Sequence, residues 1–319
     1  MTDFNRETTG REVVQAYGSR LNNKTIVITG ASDGGLGAAT AVALAGASPA
    51  HIILLARSAK KVTPVQEQIA AANASVKTSF VSVELDDVDS VRKAASEIND
   101  LTDHIDVLLN NAGIMAIPEF TTNKDGIELQ LATNHLGHFL LTALLFPKIE
   151  AAGPGARIVN LTSDGHELAQ CHFEDYNFSD GKKYHPFRGY GQSKTANILF
   201  TTYLASHLSS RQIYSFSLHP GVIMSTGLSK TMTEEMVRTA DEIATEETGI
   251  GFTIEEPKDI EHGIATSLIA ILDPRLEQHN GAYLEDGAIA VARSYATSEQ
   301  GAERLWKLSE KLVKQEFRL

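Results

Sequence analysis

The chain alternates between short apolar runs and longer segments in which apolar residues recur every three or four positions. Apolar runs of strand length lie at residues 25–29, 51–56, 78–85, 107–110, 157–161 and 213–218. Helical patterns lie between them at residues 38–45, 62–72, 88–98, 134–146 and 190–207. Strands that alternate with helices predict a parallel sheet covered on both faces, because each crossover places a helix on one face. We therefore expect an α/β, doubly wound Rossmann-type fold.

No fixed-period repeat or low-complexity linker interrupts this alternation. The pattern predicts a polar N-terminal lead-in at residues 1–23 and a single domain at residues 24–319. Two irregular stretches, residues 166–189 and 224–253, each follow a predicted strand. Because ligands of open α/β sheets bind at the carboxyl ends of the strands, these stretches are predicted to line a substrate site. The stretch at 224–253 is predicted to act as a lid.

Composition and charge narrow the possible partners. Of the 319 residues, 42% are hydrophobic and 21% charged, which excludes a mainly disordered chain. The formal net charge of −12 would repel nucleic-acid phosphates and anionic lipid, so neither is an expected partner. Cys171 is the only cysteine, which excludes an intrachain disulfide and a cysteine-based zinc cluster. With no long apolar run and no apolar N-terminal core, we expect a cytoplasmic protein outside the membrane.

A glycine-rich turn joins the first predicted strand to the first predicted helix. It has the sequence Thr29-Gly-Ala-Ser-Asp-Gly-Gly-Leu-Gly37. Glycines at such a turn let a pyrophosphate approach the helix N-terminus, where free N–H groups and the helix dipole attract anions. A tight turn without any ligand could have the same sequence. Its place as the first turn of an alternating chain favours dinucleotide binding.

Basic residues follow the second predicted strand. Arg57 comes directly after it, with Lys60 and Lys61 close behind. An acidic residue here would bind the ribose 2′-hydroxyl of NAD, whereas an arginine accepts the 2′-phosphate of NADP. The sequence thus favours NADP(H) over NAD(H), with a solvated basic turn as the alternative.

The motif Tyr190-Gly-Gln-Ser-Lys194 begins a predicted helix and places its tyrosine and lysine four residues apart. This spacing puts both side chains on one helix face. A phenol with a pKa near 10 shuttles protons near neutrality only if that pKa falls by roughly 2 to 3 units. A neighbouring ammonium and a positively charged nicotinamide can lower it.

Five motifs, in order along residues 25–312, resemble those of the short-chain dehydrogenase/reductase superfamily, within it the retinol-dehydrogenase-like and WW-domain-oxidoreductase-like branch. They are Asn110-Asn-Ala-Gly113, Asn134-His-Leu-Gly-His-Phe139, Arg157-Ile-Val-Asn-Leu-Thr-Ser163, Tyr190-Gly-Gln-Ser-Lys194-Thr-Ala-Asn197 and His219-Pro-Gly-Val222. The resemblance implies a central parallel sheet of about seven strands. It also implies reversible conversion of an alcohol to a ketone or aldehyde on an apolar small molecule.

The resemblance assigns four catalytic roles. Tyr190 would be the general acid/base, and Lys194 would lower its pKa and hold the nicotinamide ribose. Ser163 would bind the substrate oxygen, and Asn134 would hold a proton-relay water. The cofactor-binding residues would be Gly30, Ser32, Gly35, Leu36, Gly37, Arg57, Glu84, Leu85, Asn111, Ala112, Gly113, Tyr190, Lys194, Pro220, Gly221, Val222, Ser225 and Thr226.

Two departures from the family pattern affect how the family's cofactor-binding roles are assigned to this sequence. The glycine turn has one extra residue, so either Gly34 or Gly35 could hold its second glycine position; we align Gly35-Leu36-Gly37 with the family's closing glycine pair. The family's adenine-contacting Asp is also absent after the third strand. Glu84 is the first choice there, and Asp86 and Asp87 follow it.

Other readings stay open. The chain could be a catalytically silent nucleotide sensor or scaffold, or its site could perform enone reduction or epimerisation. The resemblance implies a homodimer or homotetramer.

The sequence predicts no metal site. His135 and His138 have the i, i+3 spacing that metal ligands can use, but no carboxylate or cysteine follows a ligand pattern nearby. A group of aromatic residues could line the pocket or pack in the core, and it consists of Phe173, Tyr176, Phe178, Tyr184 and Phe187. The predicted lid has methionines and a leucine at partly helical spacing, namely Met224, Leu228, Met232 and Met236.

Overall fold

The computed structural model describes residues 4–228 and 234–319, and eight strands are formed within these ranges. The strands are β1 Thr25–Thr29, β2 His51–Ala56, β3 Lys77–Ser82, β4 Val107–Asn110, β5 Arg157–Leu161, β6 Tyr214–Leu218, β7 Tyr283–Glu285 and β8 Ala288–Ala290. They form one sheet in the order β3-β2-β1-β4-β5-β6-β7-β8. Strands β1 to β7 pair in parallel, and β8 pairs antiparallel with β7. The predicted α/β, doubly wound parallel sheet is confirmed, with the hairpin strand β8 added at one edge.

Ten α-helices lie within the described residues. They are α1 Gly10–Tyr17, α2 Leu36–Ala45, α3 Ala59–Ala72, α4 Val88–Leu101, α5 Leu129–Leu131, α6 Gly137–Ala151, α7 Pro186–Leu208, α8 Glu234–Thr248, α9 Ile260–Leu272 and α10 Glu299–Val313. One π-helical turn, Ala132–Leu136, joins α5 to α6. Helix α7 begins four residues before its predicted start, because Pro186 at its first position already has a helical φ and His185 caps it. Strand β3 is shorter than predicted and ends at Ser82.

Apolar side chains on the two faces of the sheet form separate cores. In β1, Val27 packs on the face covered by α4, α6, α7 and α10, whereas Ile26 and Ile28 pack on the face covered by α1, α2, α3 and α9. All five residues of β1 are buried. A strand buried on both faces has no solvent-exposed face, which explains why the central strands are continuous apolar runs in the sequence.

The predicted lead-in is part of the folded domain. Helix α1 begins with a capping box in which Thr9 and Glu12 each bond the other's backbone N–H. Val13 is fully buried in the same core as α9, which packs against α1. Residues 10–21 therefore add helical structure that packs against α2 and α9.

The parallel strands β1, β2, β4, β5 and β6 all end at the same edge of the sheet. Their last residues are Thr29, Ala56, Asn110, Leu161 and Leu218. The loops that follow them converge at this edge and carry most of the predicted site residues.

The start of α6 lies directly against the segment that follows β3. A Cβ built on Gly137 would lie 2.3 Å from the carbonyl oxygen of Leu85, a backbone atom that cannot swing aside. Gly137 thus fixes how closely the helix leading from Asn134 approaches the sheet edge.

We expect Gly137→Ala to lower the free energy of unfolding by about 1–3 kcal/mol, because the helix and the Leu85 backbone must move apart. Urea unfolding measures the change. The matched control is Gly227→Ala, since a Cβ at Gly227 meets nothing within 4 Å. Equal midpoints for the two variants would contradict the close approach.

Candidate active site

A cleft of about 700 Å³ opens at the carboxyl edge of the sheet. Most predicted site residues line it, and those that do not are Gly37, Glu84, Asn134 and Ser225. One wall is apolar and includes residues that the sequence analysis did not single out, namely Met115, Ile117, Leu168, Phe252 and Ile254. Met115 and Ile117 closely follow the Asn110–Gly113 motif and Leu168 follows Ser163, whereas Phe252 and Ile254 are brought to the site by the fold.

The glycine-rich turn leaves the N-terminus of α2 open to the cleft. Gly35 is the N-cap residue of α2 and provides no side-chain cap, so the N–H groups of the first turn stay available to an anion. Gly34 has a φ of 77° and a Cβ there would have no neighbour within 4 Å, so the extra loop residue is accommodated at an open tip. Gly37 is buried below the cleft, where a Cβ would lie 2.5 Å from Nδ2 of Asn111.

Thr29 and Asn111 hold this turn against the end of β4. The Asn111 amide Nδ2 donates to the Thr29 carbonyl at 2.8 Å. The backbone N–H groups of Asn111 and Ala112 donate to the Thr29 hydroxyl at 2.9 and 3.0 Å. That hydroxyl also lies 2.8 Å from Nε2 of His138. Asn111 therefore stabilises the turn by hydrogen bonds and also lines the cleft.

At the outer end of the cleft, Arg57 and Lys61 are exposed and line the opening beside Ser32. Glu84, the first choice for an adenine contact, is exposed and does not line the cleft. Asp86 lines it instead. An adenine contact by Glu84 stays a prediction, and Asp86 is the carboxylate after β3 that lines the cleft.

Asn134 lies on the π-helical turn and is fully buried. Its amide Nδ2 donates to the Ile114 carbonyl and to the Ser193 hydroxyl, both at 2.9 Å, and its Oδ1 accepts from the Ile114 N–H at 2.8 Å. π-Helical turns often occur at functional sites. Here the turn braces the Asn111-Ala112-Gly113 loop against α7, and the role of Asn134 in holding a relay water stays a prediction.

His135 and His138 make separate contacts and share no ligand. His138 donates from Nδ1 to the Asn134 carbonyl at 3.0 Å, so its Nε2 is free to accept from the Thr29 hydroxyl. His135 Nε2 lies 2.8 Å from the Ser309 hydroxyl of α10. Burial lowers the pKa of His135 to about 3 and that of His138 to about 4. Across residues 4–228 and 234–319, no group of three or more His, Cys, Asp and Glu side chains is arranged to hold a metal ion.

Tyr190 and Lys194 lie on the first turns of α7, each with 4% of its surface exposed. The Lys194 ammonium lies 5.5 Å from the centre of the Tyr190 ring and donates to the Leu161 carbonyl at 3.3 Å. Two bonds fix α7 to the end of β5, because the Thr162 hydroxyl donates to the Lys194 carbonyl and the Asn197 amide donates to the Leu161 carbonyl. The i, i+4 pair predicted from the sequence is therefore brought together with Ser163, which follows β5.

Desolvation controls the acid–base properties of the pair. Burial raises the pKa of Tyr190 above its ordinary value, and a hydrogen bond with Ser163 opposes this rise. Burial lowers the pKa of Lys194 to about 8. Burial therefore disfavours the charged form of each group, so the ionised tyrosine needs additional positive charge nearby.

The segment after β6 forms the opposite wall, with Pro220, Gly221, Val222 and Thr226 at the cleft. The Val222 N–H donates to Glu255 Oε1 at 3.0 Å. Met224 and Leu228 line the opening and are 56% and 37% exposed. Met232 and the side chain of Met236 lie outside the described residues.

Helix α8 covers the apolar wall at the predicted lid. Its Ala240 and Ala244 are buried against Phe187 and Tyr190. Glu246 and Glu247 form ion pairs with Arg188 at 2.7 Å each. These contacts hold the C-terminal half of α8 against the start of α7.

Phe187 is the member of the aromatic group that lines the cleft. Phe173 and Tyr176 pack against the core beside α7 and α10, and Phe178 packs against Tyr184. Cys171 is partly buried, and burial raises the pKa of its thiol. Both proposed roles of the aromatic group therefore occur, with core packing the more common.

A family model described as short chain dehydrogenase matches residues 24–237. The chain belongs to the short-chain dehydrogenase family. Retinol dehydrogenase 11 of Homo sapiens is 34% identical to it over 290 residues, which cover 91% of this chain and 86% of that protein. The chloroplastic short-chain dehydrogenase TIC 32 B of Brassica napus is 32% identical over 303 residues, with coverages of 91% and 88%. The resemblance to the retinol-dehydrogenase-like branch is thus confirmed.

Solved structures of short-chain dehydrogenases share the fold of this one. An NADPH-bound carbonyl reductase from chicken fatty liver has a TM-score of 0.59 and 20% identity, covering 85% of this chain and 100% of that chain. None of the helices in the described part of this short-chain dehydrogenase combines the length and apolar character needed to cross a membrane.

Glu128 provides a pH test of the helix that leads to Asn134. The carboxylate is fully buried and accepts the Gln130 and Leu131 N–H groups at the start of α5. Burial raises its pKa from 4.5 to about 7, although these N–H bonds lower it. The folded state therefore binds this proton more tightly than the unfolded state. The protonated Glu128 carboxyl therefore contributes about 3 kcal/mol to the free energy of unfolding. This contribution is fully present below about pH 4.5 and is lost as the pH rises through about 7.

We expect Glu128→Gln to remove this pH dependence. The free energy of unfolding of the variant minus that of wild type should increase by about 2–3 kcal/mol from about pH 5 to about pH 8. Urea unfolding at each pH measures this difference. The exposed Glu97 on α4 supplies the control substitution Glu97→Gln. A constant difference across this range would show that Glu128 does not titrate in it.

Proposed function

We propose that this short-chain dehydrogenase is an NADP(H)-dependent oxidoreductase that interconverts an alcohol with its ketone or aldehyde on an apolar small molecule. One observation carries the proposal. Ser163, Tyr190 and Lys194 line the same cleft as the glycine-rich turn and Arg57. A proton-transfer group, an oxygen-binding hydroxyl and an anion site within one cleft are the elements that hydride transfer to a carbonyl requires.

The residues present fit a phosphorylated nicotinamide dinucleotide. The uncapped N-terminus of α2 suits the pyrophosphate, because its N–H groups have no side-chain partner. Arg57 and Lys61 at the outer end suit a ribose 2′-phosphate, and an arginine can bind it with two parallel hydrogen bonds. Lys194 at the inner end would hold the nicotinamide ribose, as the family pattern implies.

The chain's own residues would manage the proton. When bound, the nicotinamide supplies or accepts the hydride. In reduction, the Tyr190 hydroxyl donates its proton to the substrate oxygen, and in oxidation the ionised Tyr190 accepts it. The Lys194 ammonium stabilises the ionised form, and Ser163 binds the substrate oxygen. Because burial raises the pKa of Tyr190, this ion forms readily only when Lys194 is protonated and the cofactor is oxidised.

The apolar wall of the cleft supports an apolar substrate. Met115, Leu168, Phe187 and Phe252 line it, and they are joined by Ile117 and Ile254. Such a wall binds through burial of apolar surface and offers few polar groups for a hydrophilic substrate. Relatives in this family are named retinol dehydrogenases, and retinol is itself an apolar alcohol, so long apolar alcohols and aldehydes are the first compounds to assay. Assembly as a homodimer or homotetramer and a cytoplasmic location belong to the same proposal.

The cofactor proposal predicts that NADPH binds more tightly than NADH and that Arg57→Ala removes much of this preference. We expect its NADPH dissociation constant to rise roughly tenfold or more, since a charge-assisted bond to phosphate is lost, and its NADH affinity to change less than about twofold. Fluorescence titration with both cofactors measures this. The matched control is Lys60→Ala, because Lys60 is exposed and does not line the cleft. Equal weakening of both cofactors would refute a 2′-phosphate contact.

The catalytic proposal predicts that Tyr190→Phe still binds NADPH within about twofold of wild type but loses roughly 10²- to 10⁴-fold in turnover. The assay follows NADPH oxidation with a panel of apolar ketones and aldehydes, with product analysis to detect enone reduction or epimerisation. Tyr203→Phe on the same helix is the control, since its ring packs on Trp306 away from the cleft. NADPH binding without turnover by the wild-type protein would favour a nucleotide sensor.

A further inference from the structure

A carboxylate and an imidazole lie next to Ser163, and they belong to Asp164 and His219. The Ser163 hydroxyl donates to Asp164 Oδ1 at 2.7 Å and accepts the Gly165 N–H at 3.0 Å. The hydroxyl proton of Ser163 is therefore directed at Asp164, and its remaining lone pair is available to accept a hydrogen bond from Tyr190 or a substrate.

His219 faces the same carboxylate from the end of β6. Its ring is almost fully buried, and its Nε2 lies 3.0 Å from Glu255 Oε1. Its other ring nitrogen, Nδ1, has no hydrogen-bond partner and lies 3.9 Å from Asp164 Oδ1. A buried nitrogen left unpaired and directed at a carboxylate suggests a cation whose second N–H acts on Asp164.

The turn that contains Asp164 packs directly on the catalytic tyrosine. A Cβ on Gly165 would lie 2.6 Å from Cε1 of the Tyr190 ring, a distance that only glycine permits. The charge of Asp164 is therefore held close to the phenol by backbone contact. Its negative charge adds to burial in raising the pKa of Tyr190.

We propose that Asp164 and His219 form a charge pair that acts on Tyr190 in addition to Lys194, which makes both of them positioning residues for the proton transfer. The inference rests on the proposed function, because it takes Tyr190 as the acid–base group. In the pair, the Asp164 carboxylate orients the Ser163 hydroxyl and favours the neutral phenol. The His219 imidazolium offsets the carboxylate and limits that effect.

The neighbouring charges favour the protonated form of His219. Burial lowers the pKa of His219, but Asp164 and Glu255 overcome this and hold it above its ordinary value. Glu285 of β7 faces the same ring and acts in the same direction. Glu255 has its pKa held at about 2, since its bonds to His219 and Arg6 outweigh burial.

The other charged and titratable groups around the pair belong to the elements packed on it. They are His166 and Tyr190 beside Asp164, Tyr283 of β7, and Lys258, Arg6 and Asp286 around Glu255. His166 has a pKa lowered to about 4, chiefly by burial, so it is neutral where His219 is charged. Of the two histidines near Asp164, His219 is therefore the one whose surroundings favour the cation.

The two members of the pair should shift the ionisation of Tyr190 in opposite directions. Asp164→Asn removes a negative charge, so the tyrosine ionises more easily and the pH dependence of turnover moves to lower pH. His219→Gln removes a positive charge but keeps a hydrogen bond to Glu255, so the pH dependence moves to higher pH. We expect shifts of roughly half a pH unit or more in each case.

The experiment compares the pH profiles of kcat and kcat/KM for wild type, Asp164→Asn and His219→Gln. Glu167→Gln is the matched control, because Glu167 lies on the same turn but pairs with Arg293. NADPH titration and thermal unfolding check that each variant is folded. Opposite shifts for the pair and no shift for the control support the proposal, whereas shifts of the same sign, or none, overturn it.

A second readout separates this inference from the proposed function. Ultraviolet titration of tyrosinate with NADP⁺ bound, minus the signal of Tyr190→Phe, reports the ionisation of Tyr190 without turnover. If wild type turns over substrate but the variants show no opposite shifts, the inference fails and the function stands. If wild type turns over nothing, the proposed function fails, and the tyrosinate titration alone decides whether the pair acts on Tyr190.

Discussion

Removal of water from Tyr190 and Lys194 is the constraint on which the rest of the site depends. Burial disfavours the charged forms of a phenol and an ammonium at the same position, since it raises the pKa of one and lowers that of the other. An ionised tyrosine is stable there only if compensating charge is held at fixed positions. The bonds that tie α7 to β5, and the braces around Asn111 and Asn134, hold the groups that could supply it.

Much of the scaffold was predictable because its physical requirements repeat along the chain. A central parallel strand is buried on both faces and so must be apolar throughout, which made β1, β2, β4 and β5 visible as continuous runs. Tyr190 and Lys194 were equally visible, because the i, i+4 spacing on a helix leaves little freedom in where the two side chains lie. The positions of Ser163 and the glycine turn follow from the rule that ligand sites form at the carboxyl edge.

The remainder depends on contacts between residues distant in sequence. Asp164 and His219 meet because β5 and β6 are neighbours in the sheet, and no local pattern links their positions. Asp86 lines the cleft and Glu84 does not, and the loop conformation after β3 that decides this leaves no pattern in the sequence. Helices α1, α9 and α10 and strands β7 and β8 complete the domain through packing on surfaces that only the finished sheet provides.

Cys171 gives the molecule a practical property. It is the single thiol of the chain, it is partly buried against α7, and its raised pKa leaves little reactive thiolate at neutral pH. A cysteine introduced at an exposed position such as Ile250, next to the end of α8, would therefore react with a maleimide dye far ahead of the native thiol. Site-specific labelling therefore does not require removal of Cys171. Movement of α8 during the binding of cofactor or substrate could be followed by fluorescence of the attached dye.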